Sequence, residues 1–548
     1  MARADTVFSN GTILTMDASD SVAEAVAVAG GRILAVGPWT EIEPLADQGT
    51  RRVDLAGRTM IPAFIDPHGH FPETGFCALH RVDLMGPPLG GCTKLADIFD
   101  RLAESAARTP KGDWVIGVFF DQTGMAENRF PTRDELDAVS RDHPVWVMHM
   151  SGHGGAGNGR ALAFAGVDRD TPQPEGGYIE KHPETGEPTG LLEEPEAMGP
   201  IMARVFGTSG ERFREGLRWA CEEYAKHGLT TAQNAWVSRE MLHEFEAAAR
   251  DGDMAIRVNL LLDAHLEPAV ASGALSLELP AGSPLRIGPR KLFSDGSIQI
   301  CTAFLSKPYH TPFRGDAEHR GYPIYNREAL TGYIVDLHKA GHQIHIHVNG
   351  DGAGDDVLHA FQAAQDACPR NDHRHTIIHG QTLREDQLDR MAELGITVSF
   401  FSYHVFVWGD RHRDIFLGPE RARRISPAAS AAARGIRFTI HNDPPVTPIR
   451  PLPLIWCAVN RLTASGQVLG EDQRISPLQA LRAHTIDAAW QTFREDELGS
   501  IEPDKLADFA VLSANPLDDP EGIKDIDVEA TITEGRTIYS RNGLGAGP

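Results

Sequence analysis

Ile61-Pro-Ala-Phe-Ile-Asp-Pro-His-Gly-His70 is an apolar run that ends in two histidines one residue apart. Side chains on a strand alternate between faces, so residues two apart share a face. His68 and His70 can then converge on one cation, with Gly69 leaving room between them. The pair alone is a weak signal. With 24 histidines in 548 residues some such pairs arise by chance, and two hydrogen-bonded imidazoles at a strand end explain it as well. The metal reading gains from four later strand-like segments that also end in ligands or bases: Lys291, His345 with His347, His379, and His441 with Asp443. A mouth built from strand ends is where barrel enzymes keep their chemistry.

Imidazole nitrogen and carboxylate oxygen suit borderline metals such as zinc. Catalysis further needs an open position for water and a carboxylate to take its proton. Asp443 in His441-Asn-Asp-Pro-Pro445 is the natural carboxylate, since it closes the last strand and faces back across the barrel. Of His345 and His347, either can be a packed histidine; Asn349-Gly-Asp-Gly shows the chain opening after His347, which favours His347 as the ligand. His379 precedes Gly380-Gln381 at a strand end. Lys291 alone reads as a half-buried lysine in an ion pair. Its alternative is chemical: an unprotonated amine adds carbon dioxide to form a carbamate whose oxygens bridge two metals, once nearby cations lower its pKa.

The elements that must position these groups form an alternation of strands and amphipathic helices, the pattern of an α/β fold with a parallel (β/α)8 TIM barrel. Strands are expected at 61–65, 230–233, 255–263, 290–295, 343–348, 375–379, 396–401 and 436–441, with helices such as 327–339 and 384–394 between them. The first two strands stand too far apart for an ordinary connection, so residues 72–212 are expected to be an inserted α+β subdomain forming a lid or pocket wall. Short strands with Asn-Gly and Gly-Gly turns recur at both ends of the chain. Residues 1–60 and 490–548 are therefore expected to assemble one composite β-sandwich domain, leaving 61–71 and 213–489 for the barrel.

Composition narrows the partners. The 52 basic against 76 acidic residues leave a formal charge of −24, which disfavours nucleic acid and anionic membranes. No stretch is long enough to span a bilayer, and the six scattered cysteines form no disulfide framework. A small-molecule substrate and a cytoplasmic setting are expected.

Taken together these segments resemble the amidohydrolase superfamily, in particular the amidohydrolase 3 group of YtcJ-like and N-substituted formamide deformylase-like enzymes. The likeness is carried by Asn10-Gly-Thr-Ile-Leu-Thr-Met, the His68/His70 segment, Pro131-Thr-Arg-Asp-Glu-Leu-Asp-Ala-Val-Ser, Gly152-His-Gly-Gly-Ala-Gly-Asn158, Thr185-Gly-Glu-Pro-Thr-Gly-Leu-Leu-Glu-Glu194, Lys291-Leu-Phe-Ser-Asp-Gly-Ser297, His347-Val-Asn-Gly-Asp, Asp443-Pro-Pro-Val and Gly499-Ser-Ile-Glu-Pro-Asp-Lys-Leu-Ala-Asp508.

The resemblance implies two divalent metals, zinc foremost, or a single one. His68, His70 and Asp443 would hold one metal, His347 and His379 the other, with carboxylated Lys291 bridging them. It further implies Asp443 as general base and acid, His153, Glu194 and His404 as substrate contacts, and a homodimer. Departures touch the pocket: Ile378 replaces an acidic residue, Phe401-Ser-Tyr-His404 replaces Gln-Pro-x-His, and His441-Asn-Asp443 replaces Gly-Ser-Asp. The added Phe400, Phe401, Tyr403, Trp408 and His441 suggest a bulky or aromatic substrate; His441 reads equally as an orienter beside Asp443 or as a surface-facing residue. The expected reaction is hydrolysis of an amide-type C–N bond, N-acyl or N-formyl, by water that the metal activates. The alternatives are an ester, a carbamate, a cyclic amide or a C–C bond next to a carbonyl, and, further off, a non-catalytic binding protein.

Overall fold

The computed structural model describes residues 3–205, 207 and 209–544. Eight parallel strands carry the strand-end residues: β1 (Phe64–Ile65), β2 (Leu229–Val237), β3 (Arg257–Asp263), β4 (Leu285–Phe293), β5 (Ile344–Val348), β6 (Thr376–His379), β7 (Thr397–Phe400) and β8 (Phe438–Ile440). They hydrogen-bond in that order as one curled sheet. No ladder joins β8 to β1 among the described residues. The segments that follow them meet instead: the His70 amide donates to the Pro444 carbonyl at 2.7 Å, and the His68 and His441 rings stand 4.9 Å apart. The fold is a TIM-barrel-like α/β architecture with additional sheets.

Register decides which side chains face the barrel interior. Lys291 pairs with His345 and Phe293 with His347, so these four share the inner face. Ile344, Ile346, Val348 and Leu292 alternate outward into the main apolar core with the surrounding helices. Helix Arg327–Lys339 begins where the Asn326 side chain accepts from the Ala329 amide, as its expected span requires.

Three differences from the expected strands have local causes. β4 begins at Leu285, before Pro289, because its pairing with β3 shifts register between Leu260 and Leu262 and so accommodates a proline that lacks an amide donor. The apolar run at 61–65 serves two sheets: Thr59–Pro62 pairs antiparallel with Phe509–Leu512, and only Phe64–Ile65 joins the barrel. His68 lies in a bend beyond β1, and His70 makes a single bridge to Asn234. Strand alternation therefore does not aim the His-x-His pair; the bend does.

Both termini build one continuous eight-stranded sheet. Thr6–Leu14 is flanked by Arg51–Asp54 along its first half and by Thr59–Pro62 along its second. The strands from both termini pack around a core containing Phe8, Val26, Ile33, Phe509 and Val511. Residues between β1 and β2 form a third, six-stranded sheet, ordered Tyr178–Lys181, Pro188–Glu193, Gly154–Gly157, Val145–His149, Val115–Phe120, Val82–Asp83. All six cysteines are free. No helix among the described residues is long and apolar enough to cross a membrane.

Candidate active site

Asp443 is the point of convergence. His68 Nε2 and His70 Nε2 lie 3.5 and 3.4 Å from its Oδ1, and His379 Nδ1 lies 4.0 Å from its Oδ2. His68, His379 and Asp443 together offer ligand atoms within 4.8 Å of one another. Both ring nitrogens of His68 and Oδ1 of Asp443 are buried without a hydrogen-bond partner. Buried polar atoms are normally satisfied, so such orphans point to a group that completes them. The donor set, imidazoles around a carboxylate, fits a divalent metal such as zinc.

The room at Gly69 has a different use from the one its position suggests. A Cβ there would lie 2.6 Å from Asp66 Oδ2 and 2.9 Å from Pro444 Cδ. Glycine thus lets the His68 bend close over Asp66, whose carboxylate accepts from the His68 amide at 3.3 Å and from the Tyr224 hydroxyl at 2.8 Å. Two of the converging residues hold left-handed backbone angles, His379 with φ +70° and Asp443 with φ +53°. Such positions in non-glycine residues cost about 1–3 kcal/mol each and collect where function aims a side chain.

On the far side of the cavity His347 and His379 have ring centroids 4.6 Å apart. His347 Nε2 lies 2.9 Å from the Gly296 carbonyl and 3.1 Å from the Asn349 side-chain nitrogen, contacts that fix the orientation of the ring. His379 Nδ1 lies 3.1 Å from His441 Nε2, and His441 Nδ1 lies 2.8 Å from Ser399 Oγ. His441 is wholly buried beneath His379 and does not line the cavity. The ring therefore faces neither solvent nor the cavity.

Lys291 is 2 % exposed, and no hydrogen bond or ion pair holds its amine among the described residues; its Nζ stands 4.6 Å from the Phe293 ring centroid. Burial pushes its pKa down to about 7, against a smaller opposing pull from Asp443. Burial alone would raise Asp443, but His70, His441 and Lys291 outweigh it and keep the carboxylate below its usual range. His345 shares the inner face with Lys291, both its ring nitrogens unpartnered and its pKa pushed down to about 3 by burial and Lys291.

The cavity above these groups measures about 60 Å³, room for roughly five waters. Besides the strand-end residues it is lined by His153, Phe401, His404 and Trp408, and by Phe293, Ser297, Gln299 and Asn349, which sequence reasoning did not single out. Phe293, Ser297 and Asn349 do fall inside the quoted Lys291–Ser297 and His347–Asp351 motifs, a signal that was available. Glu194 stands behind His153 and stays out of the cavity, its Oε2 2.6 Å from His153 Nδ1. Phe400 and Tyr403, which read as pocket aromatics, pack in the core instead. For Phe400 the reason is register: Phe401 and Trp408 lie beyond the strand, whereas Phe400 is an outward residue of β7.

A barrel sheet whose strand ends gather orphaned imidazoles and a carboxylate around a small cavity is the build of a hydrolytic enzyme. Residues 51–539 match the amidohydrolase family. The chain is 30 % identical to N-substituted formamide deformylase of Arthrobacter pascens, over 98 % of this chain and 99 % of that one. It is 31 % identical to Protein LONG AFTER FAR-RED 3 of Arabidopsis thaliana, over 98 % and 92 %. Among solved structures, an uncharacterized metal-dependent hydrolase of Pyrococcus horikoshii OT3 superposes with a TM-score of 0.73 at 26 % identity, covering 94 % of this chain and 99 % of that chain. The chain belongs to the amidohydrolase family. It is a hydrolase acting on carbon–nitrogen bonds.

Proposed function

We propose that this enzyme cleaves the C–N bond of N-substituted amides with a small acyl group, formamides foremost. In this reading His68, His70 and Asp443 would hold one divalent metal and His347 and His379 a second, with Lys291, as a carbamate, completing the set. Zinc suits the donor set best. The observation that carries the reading is the orphaned, fully buried His68 facing the equally unpartnered Oδ1 of Asp443. Bound metal supplies acidified water and a polarised carbonyl.

The chain's own groups do the rest. Asp443 takes the proton of the attacking water and delivers it to the leaving nitrogen. His441 and Ser399 hold the His379 ring, and Gly296 holds the His347 ring. His153, anchored by Glu194, presents its free Nε2 to the substrate. The acyl group would sit beside His153 and the histidine–Asp443 cluster, with the N-substituent against Phe401 and Trp408, which line the same cavity. The relative from Arthrobacter pascens, whose name specifies N-substituted formamides, supports the same substrate class.

A panel of N-substituted formamides and acetamides, an ester and a carbamate tests this, with the protein as purified and after chelation. Formamides are expected to turn over fastest, with activity lost on chelation and restored by zinc. Faster cleavage of the ester or carbamate, or amide cleavage indifferent to chelation, overturns the reading.

A further inference from the structure

The inserted sheet touches the pocket at a point that the chemistry above does not use. Strand Val115–Phe120 is followed by Asp121, a carboxylate only 3 % exposed. Its Oδ2 accepts from Trp408 Nε1 at 2.8 Å and from Arg411 Nη1 at 2.7 Å. Its Oδ1 accepts from the Thr123 amide at 2.9 Å and from the Thr123 hydroxyl at 2.6 Å. The neighbouring Gln122 side chain donates to the Gln299 carbonyl at 2.9 Å. Asp121 therefore ties the inserted sheet to helix His404–Arg411, which follows β7, while Gln122 ties it to the turn after β4.

Trp408 is the cavity's largest apolar wall, 1 % exposed, its ring 6.3 Å from Phe401 and 5.3 Å from His404. An indole has one polar atom, and a buried N–H without an acceptor costs about 1–3 kcal/mol. A charged acceptor makes the stronger bond. The orientation of Trp408 is consequently set by where Asp121 stands, and the width of the pocket by the orientation of Trp408.

We propose that Asp121 is a positioning residue for substrate selection: by clamping the Trp408 indole it fixes the aromatic wall and so the size of N-substituent the pocket accepts. The selectivity half of this rests on the amide reading above; the clamp itself does not.

The experiment pairs two readouts on Asp121→Ala and the isosteric Asp121→Asn. In protein labelled with 5-fluorotryptophan, Trp408→Phe identifies the Trp408 signal among the 8 tryptophans. Asp121→Ala is expected to shift and broaden that signal, and Asp121→Asn to shift it less. The ratio of kcat/KM for N-benzylformamide to that for N-methylformamide is expected to change at least tenfold in Asp121→Ala, with kcat for N-methylformamide within threefold and metal content unchanged. If Asp121→Ala does not fold, Asp121→Asn carries both readouts. A fluorine signal that stays sharp and unmoved overturns the clamp. A moved signal with both formamides slowed equally overturns the role in selection. If the unsubstituted enzyme cleaves no amide, the proposed reaction falls while the fluorine signal still decides the clamp.

Discussion

His153 and Glu194 are joined twice: His153 Nδ1 meets Glu194 Oε2 at 2.6 Å, and the Glu194 amide donates to the His153 carbonyl at 2.8 Å. The double tie follows from the sheet, where Gly154 pairs with Glu193, placing their neighbours side by side at the end of the ladder. Glu194 holds the left-handed φ of +65° that aims its carboxylate inward. Burial favours the neutral imidazole, but the Glu194 carboxylate outweighs it and raises the His153 pKa.

Removing Glu194 leaves His153 free to rotate and its Nδ1 without an acceptor. Glu194→Ala and His153→Ala are each expected to lower kcat/KM by about 5- to 150-fold, the worth of a buried hydrogen bond of roughly 1–3 kcal/mol. The double variant is expected to lose little more than either single one, since both remove one unit. Independent, additive losses in a double-mutant cycle would mean that the pair does not act together.

Lys291 bears on metal count. Elemental analysis of protein purified without chelator is expected to give near two metals per chain, falling sharply in Lys291→Ala. A single metal unaffected by the substitution would leave Lys291 as a buried amine over Phe293 and the chemistry on Asp443 and one ion.

The floor of the barrel is locked to the terminal sheet by charge. Arg257 at the start of β3 donates to Asp508 at 2.5 and 3.1 Å and to Glu534 at 2.9 Å. The Arg257 and Asp508 side chains are 10 % and 5 % exposed. Asp508→Ala leaves that buried guanidinium with only Glu534, which is expected to cost about 3–5 kcal/mol in urea unfolding. Replacing both partners, as Arg257→Met with Asp508→Leu, is expected to recover most of the loss. A loss below about 1 kcal/mol in the single variant would show the seam held by packing instead.

Acid sensitivity is expected at helix Arg133–Val139. Thr132 caps it and Glu135 closes the box, accepting from the Thr132 amide at 2.8 Å while Arg129 forks onto its carboxylate at 2.7 and 2.8 Å. Those bonds, Arg129 first, hold the Glu135 pKa down to about 2 from 4.5. A carboxyl whose folded pKa is depressed contributes stability above its unfolded value and loses it as pH falls through the folded one. Glu135→Gln should therefore be less stable than the unsubstituted protein at pH 7, with the gap closing between pH 4.5 and 2. A gap that persists unchanged to pH 2 would assign it to packing. With Arg129 nearly half exposed, solvent screening keeps the effect modest.

Most of the barrel was legible because outward apolar residues announce strands, and polar residues at the ends of those runs announce the site. Lys291, His347, His379 and Asp443 stand at the ends of such runs and line one cavity; Lys291 by itself reads as an ion-paired lysine, and its part in a metal site comes only with the family resemblance. What escaped depends on groups far apart in the chain or on local breaks in regularity. Asp121 meets Trp408 across 287 residues, and nothing near either one signals the other. The first apolar run conceals a change of sheet at Ala63, because both sheets want the same residue types. His441 reads equally as an orienter or as a surface-facing residue until β6, β7 and β8 set Ser399, His441 and His379 in one hydrogen-bonded row.

Asp443 carries the sharpest test of the chemistry. Asp443→Asn keeps the shape and one oxygen but removes the charge toward which His68 and His70 converge, and the base with it. Turnover on a formamide is expected to fall by about 10²–10⁴-fold, the range for losing a positioned proton acceptor. Loss of one metal alone would give the same fall in rate, so metal content must be read in parallel. A variant that keeps its metals yet loses turnover assigns proton transfer to Asp443; one that loses a metal and regains activity in excess zinc assigns it to metal binding only. Near-normal turnover with full metal content would remove Asp443 from the mechanism and pass the proton to His153, which lines the cavity and is hydrogen-bonded to the buried Glu194 carboxylate.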